Sequence, residues 1–181
     1  MNKKLIISLS ILCVVIAVYL LNSHSQKTYN SSSKNLMNIT EEGLKKIIIQ
    51  SGQDALELIK EDSVWNIAGN DTLKIKEQVI NLFFDIASKI EIQNTMTSNK
   101  EKWSKYNVDD SSGVHLALID MDDKTIDYYV FGRSKTDFAR CYARINQENE
   151  VYLLSENIIY NLQSNPTFWG EVLPQNNDLD L

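Results

Sequence analysis

Two adjacent carboxylates, Asp109 and Asp110, precede the histidine His115 by only a few positions. Paired carboxylates can perform acid–base chemistry or bind a cation, and histidine can act as a base or a metal ligand. A complete centre needs more groups. The sequence has no G-x-S-x-G elbow, no glycine-rich phosphate loop and no cysteine or second histidine near His115. Two interpretations therefore remain, a candidate site and a structural turn.

The residues that surround the two carboxylates favour the structural turn. Trp103 and Tyr106 are three positions apart, which places both rings on one side of a helical turn. Asp109 is followed by Ser111, Ser112 and a glycine, a composition that suits a carboxylate accepting hydrogen bonds from nearby backbone N–H groups. We therefore interpret Trp103, Tyr106 and Asp109 as parts of a turn packed against the fold.

A second cluster of acidic residues has some of the oxygen ligands of a calcium-binding loop. Its members are Asp120, Asp122, Asp123 and Asp127. An EF-hand loop needs an oxygen ligand at position 5, glycine at 6 and glutamate at 12, whereas counting from Asp120 gives Lys124, Thr125 and Phe131. The sequence therefore predicts a solvated hairpin turn here, and we predict no metal site and no cofactor.

Four basic residues stand close together in an otherwise acidic chain: Arg133, Lys135, Arg140 and Arg144. Strand alternation places Arg140, Tyr142 and Arg144 on one face. A basic face with a central tyrosine could bind an acidic partner or a carboxylate. We predict Arg140, Tyr142 and Arg144 as partner-binding residues, while an ordinary solvated strand face with ion pairs remains the alternative interpretation.

The elements that must position these residues are mostly strands. Alternating apolar residues predict a three-stranded meander over residues 44–69, a strand over 91–97, and hairpins over 114–132 and 139–154. A helix is predicted from Thr72 because apolar residues recur every three or four positions. That apolar stripe comprises Ile75, Val79, Leu82, Phe83, Ile86 and Ile90. A short helix is predicted over 156–162, with Ser155 as its N-cap and Pro166 beyond its end.

The N-terminus predicts a membrane segment. Lys3 and Lys4 precede an uncharged apolar run over residues 5–21, about 26 Å of helix at 1.5 Å per residue. This run exceeds the usual apolar region of a signal peptide, which favours an uncleaved anchor. Ser23 and Ser25 have the spacing of a cleavage site, so a cleaved signal peptide remains open. The two lysines predict a single-pass protein of the cell membrane with its domain on the extracytoplasmic (periplasmic) side.

The rest of the chain divides by composition. Residues 1–25 form the anchor or signal peptide, 26–43 a polar linker, 44–169 the folded domain and 170–181 a flexible tail. The net charge is −6, and removing the anchor with its two lysines leaves a more acidic domain. An acidic domain argues against binding nucleic acid. Cys141 is the only cysteine after residue 25, so the predicted domain has no internal disulfide.

Several segments together resemble one known family. The segments "VWNI", "WSKYNVDD", "YYVFG" and "CYARINQENEVYLLSE" are similar to the DUF4340 family over residues 44–162. These domains of unknown function occur in bacterial envelope proteins, some of them linked to gliding-motility-type ABC transporters. The family typically reads Tyr-Gly-Leu-Asp where this chain has Asn107 after Tyr106. Asparagine tolerates positive φ next best after glycine, so a left-handed turn is still expected. Gly132 fits the family's glycine at a strand end.

We therefore predict an α+β fold of mostly antiparallel sheet with one principal amphipathic helix and a short C-terminal helix, after an N-terminal transmembrane helix. The expected function is that of a non-catalytic accessory or interaction domain, with an envelope protein as partner, and the resemblance implies a transporter assembly. The alternative is a domain that binds a small ligand or envelope polymer between helix and sheet. A pocket lined by Trp65, Phe83 and Tyr128 would favour that alternative, and His115 beside a serine and an aspartate would favour a hydrolase.

Overall fold

The computed structural model of this chain describes residues 34–172, so the predicted membrane segment lies outside the described residues. The strands are β1 Lys34–Asn35, β2 Leu44–Ser51, β3 Asp54–Glu61, β4 Val64–Ile67, β5 Leu73–Ile75, β6 Glu91–Thr97, β7 Val114–Asp120, β8 Thr125–Arg133, β9 Cys141–Ile145, β10 Val151–Leu154 and β11 Gly170–Val172. The helices are α1 Glu77–Lys89 and α2 Pro166–Trp169, with 3₁₀ turns at Glu41–Gly43, Lys100–Tyr106 and Ile158–Asn161.

Nine of these strands form one sheet, in the order β1-β6-β10-β9-β8-β7-β2-β3-β4, and β11 pairs with β5 in a small second sheet. Every strand pair in both sheets is antiparallel. The meander β2–β4 and the hairpins β7–β8 and β9–β10 occupy the segments where alternation predicts them. The prediction of a mostly antiparallel α+β domain is confirmed.

The main core lies between α1 and one face of the large sheet, which we call the first face. Alternate residues of the strands point into it, among them Leu116 and Leu118 of β7 and Phe131 of β8. Phe83 of α1 belongs to the same buried cluster. Burying each side chain of this size contributes about 1.5 to 3 kcal/mol. Cys141 is also buried there, and burial raises the pKa of its thiol to about 12, which keeps it protonated.

The principal helix begins later than the sequence predicts, at Glu77 instead of Thr72. Leu73–Ile75 forms β5, which pairs with β11 almost one hundred residues further along the chain. The predicted buried stripe is also wrong in part, because Leu82 is 48% exposed. The buried side of the helix comprises Ile80, Phe83 and Ala87. The pairing with β11 extends the backbone before Glu77, and the sheet then selects which side of α1 is covered.

The C-terminal elements differ from their prediction. Of the helix predicted over residues 156–162, the segment Ile158–Asn161 forms a 3₁₀ turn. The Asn157 side chain caps this turn by accepting a hydrogen bond from the Ile159 N–H. Ser155, the predicted cap, instead accepts from the Glu91 N–H across to β6. Pro166 begins α2, a position that suits proline because the first helical N–H has no partner in the helix.

Both predicted boundaries of the folded domain shift outward. Residues 34–43, predicted as linker, contribute Leu36 and Met37 to the buried core, and the Leu36 N–H donates to the Ile90 carbonyl. Gly170–Val172, predicted as tail, forms β11. Among residues 34–172, no helix is long and apolar enough to cross a membrane.

Candidate functional site

The stretch that contains the two carboxylates crosses the face of the sheet opposite α1, which we call the second face. The 3₁₀ segment Lys100–Tyr106 and the residues that follow it up to 113 form what we call the turn. Trp103 and Tyr106 belong to this turn, and their side chains are buried against the second face. Together with Val108, Val130 and Val151 they form a small hydrophobic cluster distinct from the main core. The turn therefore covers part of the second face and gives the sheet a second, smaller core.

The path of this turn depends on Asn107 and Gly132. Asn107 adopts the left-handed conformation, with φ 55° and ψ 36°, and its side-chain amide donates to the Arg133 carbonyl at 3.0 Å. Gly132 of β8 lies directly beneath, where an added Cβ would be 2.0 Å from the Tyr106 carbonyl oxygen. The backbone of the turn therefore rests on β8 where a side chain is missing.

Asp109 closes the turn with a network of hydrogen bonds. Its Oδ1 accepts from the N–H groups of Ser111 and Ser112, both at 3.1 Å. The two hydroxyls also donate to the carboxylate, Ser111 at 2.6 Å and Ser112 at 2.5 Å. The serine hydroxyls, more than any other cause, lower the pKa of Asp109 to about 2. The carboxylate therefore stays charged and holds the turn closed.

We predict that Asp109→Ala lowers the free energy of unfolding by about 0.5 to 2 kcal/mol at neutral pH, the usual cost of losing a carboxylate that caps backbone donors. The folded-state pKa is lower than the unfolded value of about 3.9. The stabilisation is therefore present above that value and is lost as the pH falls towards 2. Urea unfolding of both proteins from pH 7 to pH 2 measures this. A neutral substitution at pH 7 would contradict the capping role.

Asp110 has a different partner, the guanidinium group of Arg144. The Arg144 Nη2 is 2.7 Å from the Asp110 Oδ1, and its Nε donates to the Val108 carbonyl at 3.2 Å. The guanidinium also lies 4.0 Å from the centre of the Trp103 ring. Arg144 is only 4% exposed, whereas the Asp110 side chain is 83% exposed. Arg144 thus joins β9 to the turn from inside the fold.

The three predicted partner-binding residues do not share one exposed face. Arg144 is buried, so its guanidinium is not available to a partner in this structure, which corrects the prediction for that residue. Tyr142 packs edge-on against Tyr106, with 4.9 Å between ring centres. Arg140 lies before β9 and binds the Asp137 carboxylate at 2.6 Å and the Gln93 amide oxygen at 2.9 Å. Strand alternation predicts that the three side chains point to the same side of the sheet. The turn covers that side of β9 and buries Arg144.

His115 lies beside a phenol and a backbone carbonyl. Its Nδ1 is 2.5 Å from the Tyr128 hydroxyl oxygen, and its Nε2 is 3.2 Å from the Asp110 carbonyl oxygen. Burial raises the pKa of Tyr128, and Arg144 offsets part of that rise. The hydrogen-bond partners of the histidine are thus not the serine and carboxylate of a hydrolase. Within residues 34–172, no group of three His, Cys, Asp or Glu side chains could hold a metal ion.

The model of the family described as domain of unknown function (DUF4340) matches residues 65–171, more than half of the chain. The chain belongs to the DUF4340 family. No curated protein and no solved structure matches it. The DUF4340 match spans the turn, Gly132 and Arg144, and it starts inside β4, so β1 to β3 precede the matched range.

Trp65, Phe83 and Tyr128 do not line one common pocket in this DUF4340 domain, contrary to the lining expected for a ligand site between helix and sheet. Trp65 lines a cavity of about 270 Å³ beside α1, whereas Phe83 is fully buried. Tyr128 lines a separate depression of about 560 Å³ on the second face. Tyr128 and Tyr129 alternate along β8, so only Tyr129 reaches the main core. The sequence did not show which of these two tyrosines would face α1.

Sequence analysis also missed the loop between β8 and β9 of the DUF4340 domain. We call residues 134–140 the Phe138 loop. Ser134 accepts a hydrogen bond from the Asp137 N–H at 3.1 Å, and Asn157 donates to the Phe138 carbonyl at 3.0 Å. The Phe138 side chain itself is 71% exposed. A lone phenylalanine among polar loop residues is the sequence signal that could have indicated it.

Proposed function

We propose that this chain is a membrane-anchored, extracytoplasmic, non-catalytic accessory domain that docks onto an acidic surface of a protein partner in an envelope complex. The observation that carries the proposal is the Phe138 loop, which holds an aromatic ring in solvent on an ordered backbone. The apolar run over residues 5–21 supports the anchor. The resemblance to envelope proteins supports a transporter assembly as the complex.

The Phe138 loop has the properties of an interface anchor. Aromatic side chains that fill a pocket on the partner supply much of the binding energy of protein interfaces. Hydrogen bonds from Asn157 to Phe138 and from Arg140 to Asp137 order this loop before any partner binds. An ordered loop loses less conformational entropy on binding than a mobile one. The exposed ring is therefore better explained by docking than by the stability of the domain.

Charge indicates what kind of partner surface would fit. Arg133 directly precedes the Phe138 loop and Lys135 lies within it, and both residues are exposed. Neither side chain takes part in an ion pair within residues 34–172. Complementary charge steers association and selects the partner. We therefore infer an acidic partner surface around an apolar pocket that accepts Phe138.

The test is recovery of a partner from the native membrane. Tagged full-length protein is extracted with mild detergent, and the co-purified proteins are quantified by mass spectrometry. We expect one stoichiometric partner, and we expect Phe138→Ala or the double reversal Arg133→Glu with Lys135→Glu to reduce its recovery at least about tenfold, equivalent to about 1.4 kcal/mol. The matched control is Met121→Ala, which truncates a 60% exposed side chain at the other end of β7 and β8.

Thermal melting checks that all variants remain folded. The proposal is rejected if wild-type protein recovers no stoichiometric partner, or if Phe138→Ala recovers as much partner as Met121→Ala does. Recovery that survives the double charge reversal would reject the acidic surface while leaving the role of Phe138 in place.

A further inference from the structure

The depression on the second face is lined mainly by hydrogen-bonding side chains. It measures about 560 Å³, within the range of small-molecule sites. The residues that matter for its chemistry are Lys100, Thr125, Tyr128, Arg144, Asn146 and Gln147. They come from the turn, from β8, and from the end of β9 with the residues that follow it. Three separate segments thus converge on one concave surface.

Several of these groups have unused hydrogen-bonding capacity. Within residues 34–172, the Thr125 hydroxyl and the Gln147 side-chain amide have no hydrogen-bond partner. The Asn146 Oδ1 accepts from the Tyr128 N–H at 2.9 Å, which orients the amide and leaves its NH₂ group without a partner there. Hydroxyl and amide groups both donate and accept hydrogen bonds. This mixture is complementary to a ligand with several hydroxyl groups.

The depression also carries one unbalanced positive charge. Arg144 and Asp110 both line the depression, and their opposite charges balance in an ion pair of 2.7 Å. The Lys100 ammonium lies 4.9 Å from the centre of the Trp103 ring and has no acidic partner in the described part of the chain. Because an ammonium group is a compact point charge with three donors, it suits one anionic group of a ligand. A single carboxylate on the ligand would meet this requirement.

The floor of the depression is held in place before any ligand binds. Asn146 has a positive φ of 46°, and its N–H donates to the Tyr128 carbonyl at 2.6 Å. His115 holds the Tyr128 hydroxyl from behind at 2.5 Å. Arg144 is fixed by the Val108 carbonyl and the Asp110 carboxylate. Side chains held by a supporting layer of this kind lose little freedom on binding.

From this arrangement we propose that the depression binds a sugar that carries a carboxylate, with Lys100 on the carboxylate and Thr125, Asn146 and Gln147 on the sugar hydroxyls. The site is separate from the Phe138 loop and does not depend on partner docking. A neutral sugar would leave the Lys100 ammonium without an anion, and a simple carboxylate would leave Thr125, Asn146 and Gln147 without hydroxyl partners. The two sets together define the ligand class.

The experiment is isothermal titration of the purified full-length protein in detergent with glucuronate, compared with glucose and acetate. We expect saturable binding of glucuronate, and at least about tenfold weaker binding of glucose and of acetate. Lys100→Gln should weaken glucuronate binding at least about tenfold, because it removes the charge from an exposed position without disturbing the core. Gln147→Glu should weaken it similarly by repelling the carboxylate.

Lys105→Gln is the matched control. Lys105 lies in the same turn with its ammonium over an aromatic ring, 5.6 Å from the centre of Tyr106, but it does not line the depression. The proposal holds if Lys100→Gln loses glucuronate binding and Lys105→Gln retains it. It is overturned by the absence of saturable glucuronate binding, by acetate or glucose binding as tightly, or by equal behaviour of the two lysine variants.

Discussion

Replacing Gly132 with alanine is expected to lower the free energy of unfolding by about 3 kcal/mol, the upper end of the usual cost of overpacking. The new Cβ would lie 2.0 Å from the Tyr106 carbonyl oxygen and 2.7 Å from that of Asn107. Real Cβ atoms do not approach so closely, and the neighbours are backbone atoms that cannot rotate away. The turn would have to lift from β8, which would open the cluster around Trp103 and Tyr106.

The measurement is urea unfolding of the full-length protein followed by tryptophan fluorescence. Gly43→Ala is the matched control, because a Cβ at Gly43 would have as its nearest neighbour the Thr40 side-chain oxygen, at an ordinary 3.5 Å. We expect that variant to remain within about 0.5 kcal/mol of wild type, as is usual for substitutions that disturb no special feature. Equal stability of the two variants would mean that the turn does not rest on β8.

The second large effect is expected for Arg144→Glu, with a loss of about 3 to 5 kcal/mol, the cost of an uncompensated buried charge. The substitution would place a carboxylate where the Val108 carbonyl and the Asp110 carboxylate now accept hydrogen bonds from the guanidinium. At 4% exposure, water cannot replace those bonds. The stacking of Arg144 on Trp103 would also be lost.

Arg140→Glu is the matched reversal, made four residues earlier. The Arg140 side chain is 40% exposed and its ion pair with Asp137 lies at the surface. Exposed ion pairs contribute about 0 to 1 kcal/mol, so we expect a loss of that order. Thermal and urea unfolding of the two variants compare them directly. If both reversals were equally mild, Arg144 would not be buried in solution.

Because Arg144 is buried, partner docking must be tested at residues other than Arg140 and Arg144. Reversal of Arg140 and Arg144 together would unfold the second face, so a lost complex would report folding and not recognition. Phe138, Arg133 and Lys135 are exposed and can be changed without removing a buried contact. They are therefore the residues through which partner binding can be measured.

Features that depend on neighbouring residues could be predicted from the sequence. The hairpins β7–β8 and β9–β10 follow from alternation of apolar residues interrupted by turn residues. The structure has a left-handed Asn107 and an Asp109 carboxylate bonded to Ser111 and Ser112, both within a few positions in the chain. Such features require no knowledge of distant contacts, because the groups that form them are already adjacent.

Features that depend on distant pairing were decided only by the tertiary structure. Ile75 begins a helical stripe by its spacing, yet it lies in β5 because Gly170 of β11 pairs with it. Arg140, Tyr142 and Arg144 alternate along the chain, but the turn around Trp103 covers this face and buries Arg144. The exposure of Phe138 likewise became visible only once the loop was placed beside Asn157. Periodicity shows which residues point the same way, whereas their burial depends on which distant segment covers that side.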